Sequence, residues 1–262
     1  MPDFMLKALW GIIAISVVAA VAGTYIFCRR MIFISGGITH ACFGGLGLGY
    51  YLGIPPEAMA AVFAVAGSLG TDWLARGRVR RDSAIAVIWA SGMALGILFV
   101  FLTPGYVPEL NSFLFGNVLT ITPRDNAVSA VFAVLLTAFF LLFRRRIVAI
   151  SFDENFARTR RLPIRFIDTV MTFFVALAIV LTIRMAGIML LMSLLSLPQL
   201  SAEIFTRRYM PLTLLSFIIA LAGGIGGLAV AWWISVPASA AIVLILVAIY
   251  ALSSVAGRIL RI

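Results

Sequence analysis

Apolar runs of roughly 17–23 residues recur nine times along this chain, and an arginine cluster closes every second one. A run of that length crosses a hydrocarbon layer of about 30 Å as a helix. Lipid offers no partner for backbone N–H and C=O groups, so the segment has to satisfy them within itself. The runs are Ala8–Phe27, Ile38–Ile54, Ala58–Leu74, Ala84–Leu102, Ala127–Phe143, Phe166–Ile183, Gly187–Phe205, Leu212–Ile234 and Ala238–Val255. Little of the 262 residues is left over for a soluble domain. A composition 63% hydrophobic and 11% charged excludes an ordinary globular domain, which is about half apolar.

The arginines set the orientation. They follow the first run (Arg29, Arg30), the third (Arg76, Arg78, Arg80, Arg81), the fifth (Arg144, Arg145, Arg146), the seventh (Arg207, Arg208) and the ninth (Arg258, Arg261). Cations collect on the cytoplasmic side of membrane proteins. The pattern therefore predicts nine spans with the N-terminus outside and the C-terminus inside, or eight if the short second and third runs do not both cross. Arg184 breaks the alternation and is expected to snorkel to the outer interface. The net charge of +10 follows from this bias, so nucleic acid is not needed to explain it. Lys7, an apolar run and Ala20-Val21-Ala22 resemble a signal peptide. The run continues to Arg29-Arg30, however, which favours a retained span. Cys28 and Cys42, the only cysteines, offer neither a disulfide framework nor a thiolate cage. The expectation is an all-α polytopic membrane protein in which residues 1–262 form one transmembrane unit.

One segment departs from this plan. Residues 151–163, Ser-Phe-Asp-Glu-Asn-Phe-Ala-Arg-Thr-Arg-Arg-Leu-Pro, form a charged island between two apolar halves. Asp153 has the chemistry of an N-cap, Glu154 suits a first turn, and Arg158, Arg160 and Arg161 suit a last turn that Leu162-Pro163 ends. Phe152, Phe156 and Leu162 would supply an apolar face. A short basic amphipathic helix outside the bilayer is a docking element for a cytoplasmic partner. Asp82-Ser83 is expected to cap the fourth span. The stretch 110–122 is apolar but too short to cross, and is expected to be re-entrant or interfacial. Glycine pairs at four-residue spacing, Gly45/Gly49 and Gly223/Gly227, suit close helix packing.

Several segments together resemble the integral-membrane permease of metal-type ABC importers, the zinc, manganese and iron family. Arg29-Arg-Met-Ile-Phe-Ile-Ser-Gly-Gly-Ile-Thr-His-Ala41 is similar to the family's Arg-Arg-Met and Ile-Ser-Asp-x-x-Ser-His-Ala. Arg81-Asp-Ser-Ala-Ile-Ala86 is similar to its acidic-Asp-Thr-Ala-Ile-Gly. Leu110–Leu119 is similar to its Leu-x-Ser-x-Leu-Phe-Gly-x-x-Leu, and Phe152–Pro163 to its Phe-Asp-x-Glu-x-Ala-x-x-x-Gly-Leu-Pro coupling region. Gly187–Ala202, with Pro198, follows its Gly-Leu-Leu-Pro run. The chain departs at Gly36, where the family has Asp, at Arg161, where it has Gly, and at Arg81, where it has an acid. The resemblance associates the second-span Asp and His with the metal path, and only His40 carries over. A lone intramembrane histidine also serves by hydrogen-bonding a neighbouring helix.

The resemblance implies a permease subunit that imports a divalent transition-metal ion (zinc, manganese or ferrous iron) across the inner membrane. It implies a homodimer, a separate ABC ATPase docked at Phe152, Asp153, Glu154, Phe156, Arg158, Arg160, Arg161 and Pro163, and a soluble metal-binding protein outside. The chain has no Gly-x-x-x-x-Gly-Lys-Ser/Thr loop, so ATP belongs to the partner and this chain is not an enzyme. A siderophore- or cobalamin-type permease is the alternative within the class. An ion-coupled secondary transporter would place carboxylates at mid-membrane depth, whereas the ten acids lie almost all at run boundaries, with Asp72 and Glu203 the deepest. A purely structural membrane protein leaves the charged island unexplained.

Overall fold

The computed structural model describes residues 3–75, 80–104, 116, 118 and 121–260. Among them are ten helices and no strand: α1 Asp3–Cys28, α2 Ile32–Leu52, α3 Pro56–Ala75, α4 Arg81–Leu102, α5 Pro123–Phe152, α6 Glu154–Thr159, α7 Ile164–Leu194, α8 Leu197–Phe205, α9 Tyr209–Ile234 and α10 Ala238–Leu260. Eight of these are 20 residues or longer, about 30 Å at 1.5 Å per residue, which matches the hydrocarbon thickness. Seven stretches are apolar enough to cross a membrane by length and composition. The chain is a multi-pass membrane protein.

The seventh apolar run is not a span of its own. Residues 164–194 form one helix, broken only at Gly187, whose φ of 78° and ψ of 168° are open to glycine and not to a residue with a Cβ. The chain turns there and comes back through the rest of α7 and then α8. The return is anchored by Gln199, which is fully buried and whose Nε2 donates to the Ala19 carbonyl of α1 at 2.9 Å. The eight long helices and this divided return are consistent with the eight or nine passages expected from the sequence.

Contacts between helix ends sort into two groups, and the sorting agrees with the charge pattern. At one end Asn126 Nδ2 donates to Lys7 O at 2.9 Å, and Phe4 meets Trp232 at 5.7 Å between ring centroids. Arg184 also lies at this end, its Nε 3.1 Å from Asp125 and its Nη1 3.5 Å from Glu57. This cation, out of sequence with the alternation, is therefore paired with two outer-end carboxylates rather than snorkelling alone. At the other end lie Arg29, Ile150, Asp168, Ile204, Tyr209 and Gly257.

Local signals explain most helix ends. Thr122 caps α5 in a reciprocal box: Asp125 N–H donates to Thr122 Oγ1 at 3.2 Å, and Thr122 N–H donates to Asp125 Oδ2 at 3.1 Å, with Pro123 in the first turn. Asp82, expected as a cap, instead lies within the first turn of α4, which starts one residue earlier behind Arg80. There its charge favours the helix N-terminus without capping it. The glycine pairs act as expected: a Cβ on Gly45 or Gly49 would run into the backbone of Met59 or Pro56, and one on Gly223 or Gly227 into Leu246 or Ile242. Of the 110–122 stretch, Val118 is buried and Gly116 lies with its backbone against Ala186–Gly187. Ile121 is buried and Thr122 caps α5, and the remaining residues of the expected re-entrant segment, with Arg76 and Arg78, lie outside the described residues.

α5 does not stop at Arg144–Arg146. It continues through them to Phe152, with Ile147 and Ile150 fully buried. At its end the Ile150 carbonyl accepts from Arg29 Nη1 at 3.1 Å, while Arg29 Nη2 donates to Asp168 Oδ2 at 2.7 Å. Tyr25 Oη donates to the second oxygen of Asp168 at 2.9 Å. One guanidinium thus joins the inner ends of α1, α5 and α7. Its side chain is 11% exposed and that of Asp168 is 29% exposed.

Two stability predictions follow from these contacts. Asp168→Asn leaves a mostly buried arginine without its counter-charge. The cost lies between about 3–5 kcal/mol for a fully buried pair and about 0–1 kcal/mol for a surface pair. Taking about 2 kcal/mol, the midpoint of thermal unfolding in detergent should fall by about 4–8 °C; an unchanged midpoint would remove the pair from this role. Arg161, at φ 53°, occupies a left-handed conformation that disfavours any residue with a Cβ. Arg161→Gly should raise stability by about 0.5–1 kcal/mol net of the extra chain entropy of glycine, read as a small rise in the same midpoint.

Candidate functional site

The island folds as a helix, and only α6, residues 154–159, is helical. Its start is set by Asp153, whose Oδ1 accepts from the Phe156 N–H at 2.9 Å. Its end is set by Arg161, whose left-handed backbone turns the chain into Pro163, the residue that precedes α7. This accounts for the glycine that the resembled pattern carries at that position. The helix is held from beneath by Ala157, which is fully buried, and by the half-buried Leu162, whose N–H donates to the Ala157 carbonyl at 3.1 Å.

The opposite face is open. Phe152 is 60% exposed and Phe156 52% exposed. Phe152 touches Tyr209 edge-on, at 6.3 Å between centroids, and the Arg160 guanidinium lies 5.9 Å over the Phe156 ring. Arg158 and Arg161 are exposed beside them. Leu162, expected on this apolar face, belongs to the buried side instead. The side chain of Glu154 lies outside the described residues. Two exposed aromatic rings framed by guanidinium groups are the residue types that carry most of the energy in protein interfaces. Through Arg29, the exposed rings are two residues from a contact shared by three membrane helices, because Ile150 lies just before Ser151 and Phe152.

The second candidate residue, His40, lies on α2. α2 and α4 pack backbone to backbone, because a Cβ on Gly92 would stand 2.5 Å from the His40 carbonyl and 2.6 Å from Ala41 Cα. That approach brings α4 side chains onto the histidine. Trp89 stacks on the imidazole at 4.2 Å with an interplanar angle of 16°, and Nδ1 is 3.1 Å from the Met93 sulfur. Thr39 and Cys42, close in sequence, do not join it. Thr39 is buried and donates to the Ser35 carbonyl at 2.5 Å, and Cys42 is fully buried. Gly36, one turn earlier, faces Met192 and Trp89: a Cβ there would stand 3.0 Å from Met192 Cε and 3.0 Å from Trp89 Cζ3. Among the described residues no group of three or more His, Cys, Asp and Glu side chains converges.

Sequence reasoning did not find Trp89, Met93 or Met192. A methionine or tryptophan in an apolar run carries no signal of its own, and only the glycine-mediated approach of α2 and α4 makes neighbours of them. The Arg29–Asp168 pair had a faint signal, opposite charges at two boundaries assigned to the same side.

Comparison with known proteins agrees with this architecture. The chain is 33% identical over 258 residues to an uncharacterized membrane protein of Synechocystis, covering 96% of this chain and 90% of the relative. It is 32% identical over 240 residues to a "probable metal transport system membrane protein" of Chlamydia pneumoniae, covering 88% and 81%. It is 27% identical over 248 residues to a manganese transport system membrane protein of Listeria innocua, covering 94% and 88%. The fold is that of a chain in the structure of PsaBC from Streptococcus pneumoniae in complex with Fab, with a TM-score of 0.85, 24% identity, and coverage of 97% of this chain and 91% of that one. Residues 1–257 match the model of the ABC 3 transport family, and the chain belongs to that family.

Proposed function

We propose that this chain is the membrane-spanning permease of an ATP-driven importer of transition-metal ions. The observation that carries the reading is the exposed Phe152–Phe156 pair on a six-residue helix joined rigidly to the membrane helices. A separate ATPase docks there and binds the ATP. Closure of the ATPase moves α6, and the Arg29 junction passes the movement to α1, α5 and α7 together. Two copies of the chain assemble with the path along their common axis, and a soluble metal-binding protein delivers the ion from outside. The names of the relatives from Chlamydia and Listeria support a metal cargo.

His40 is the imidazole contact on that path. Its half-buried position in a glycine-rich helix suits a site that must release its ion. The siderophore- or cobalamin-type alternative requires a wider path than the tight α2–α4 packing leaves beside His40. Ion-coupled secondary transport is disfavoured by the placement of the described carboxylates. Glu57, Asp82, Asp125, Asp168 and Glu203 all lie within five residues of a helix end, and Glu203 is exposed.

The dock is tested by Phe156→Asp. The ring is exposed, so the variant should insert and fold, yet it places a carboxylate where an apolar anchor is needed. It should lose co-purification with the ATPase and at least ten-fold in metal uptake, about 1.4 kcal/mol or more of docking energy. Undiminished uptake with wild-type ATPase stoichiometry overturns the reading.

A further inference from the structure

We propose that the cleft between α1 and α5 binds an anionic phospholipid of the outer leaflet, with an acyl chain in the cleft and the phosphate at Lys7. The two helices run in the same direction and are tied at both ends. Asn126 Nδ2 donates to the Lys7 carbonyl at the outer end, and Arg29 donates to the Ile150 carbonyl at the inner end. Between those ties lies a cleft of about 820 Å³ whose wall is mostly apolar. Lys7, Trp10, Ala14 and Val17 line it on the α1 side. From Lys7 to Val17 is about 15 Å along the helix, half of a hydrocarbon core about 30 Å thick and so the depth of one leaflet. The α5 side is hollowed by alanine. Ala127, Ala130 and Ala138 are exposed in the cleft, whereas exposed α5 positions outside it carry Val128, Val131, Leu135 and Leu142.

Lys7 gives the cleft its polarity. It is the chain's single lysine, and it stands half-buried at the outer mouth, on the side where cations are scarce. The described carboxylates of that end do not serve it, because Glu57 and Asp125 are both paired with Arg184. A lysine stem on an apolar wall, with its ammonium at the interface, suits a phosphate at headgroup level. Arg124, exposed next to the lining residue Pro123, adds a second cation at this mouth. Each cation favours a net-negative headgroup over a zwitterionic one by about five-fold. Trp10, one turn further along α1, has the chemistry of an interfacial aromatic anchor. The rival occupant is a membrane helix, since alanine suits helix packing. Trp10 and Val134, 61% and 68% exposed, line the two sides, and their bulk holds off a helix about 10–12 Å across. A flexible hydrocarbon chain needs only the space between them.

The site is independent of the cargo and is tested on lipid alone. The full-length protein is reconstituted in phosphatidylcholine bilayers, and the emission of Trp10 is isolated as the difference between wild type and Trp10→Phe. Phosphatidylglycerol or phosphatidylcholine with brominated acyl chains is then titrated in, because bromine quenches an indole that it touches. Half-quenching of Trp10 is expected at a mole fraction of brominated phosphatidylglycerol about five-fold or more below that of brominated phosphatidylcholine. Lys7→Gln should remove most of that preference and Lys7→Arg should keep it. Ala130→Phe, which fills the cleft from an exposed position, should abolish it. Equal quenching by the two lipids in wild type overturns the proposal, as does a preference that Lys7→Gln leaves unchanged. A preference lost in Lys7→Gln but kept in Ala130→Phe also overturns it, since that result reports surface charge without a cleft. Co-purification of a second membrane protein that Ala130→Phe releases assigns the cleft to a helix and overturns it as well.

Discussion

The Arg29 guanidinium is the point on which the inner half of this molecule depends. A mostly buried arginine is costly unless its donors are matched, and here the matching groups come from two other helices. The Ile150 carbonyl belongs to the last turn of α5, whose C-terminal dipole end favours a cation, and Asp168 belongs to the first turns of α7, whose N-terminus favours an anion. The ion pair and the two helix dipoles therefore act in the same sense. A short helix hung between α5 and α7 is held in place by them, although a six-residue element could not be stable as an isolated helix.

The packing of α2 is set by steric fit more than by charge. α2 has glycine or serine at so many positions that its neighbours approach to backbone contact, and its face is defined by what fills the missing side chains. His40 is consequently surrounded by α4 and not by its own sequence neighbours. The kink at Gly187 has a similar origin. The backbone of Gly116 presses against Ala186–Gly187, so the turn in α7 and the buried strip that includes Val118 determine each other's shape.

Much of this was legible in the sequence. An all-helical architecture of eight or nine passages and the position of the short helix at residues 154–159 followed from run length and charge, because the bilayer enforces both. Capping chemistry placed Asp153 correctly, and misplaced Asp82 because Arg81 extends α4 by a residue. What stayed hidden was set by contact between distant segments. Arg184 looked misplaced until Glu57 and Asp125, 127 and 59 residues away in sequence, came alongside it. Thr39 and Cys42 seemed natural companions for His40 by spacing, but helix geometry turns them to the buried side and leaves the histidine to Trp89 and Met93.

The extension of α5 past its three arginines has a consequence for the geometry of energy transfer. The six residues from Ile147 to Phe152 carry the helix about 9 Å past Arg146. Ile147 and Ile150 are packed into the protein there, so the extension is a stiff post and not a frayed tail. Under the proposed function, an ATPase bound to α6 would push on the end of that post, and the Arg29 junction would carry the push to α1, α5 and α7 together.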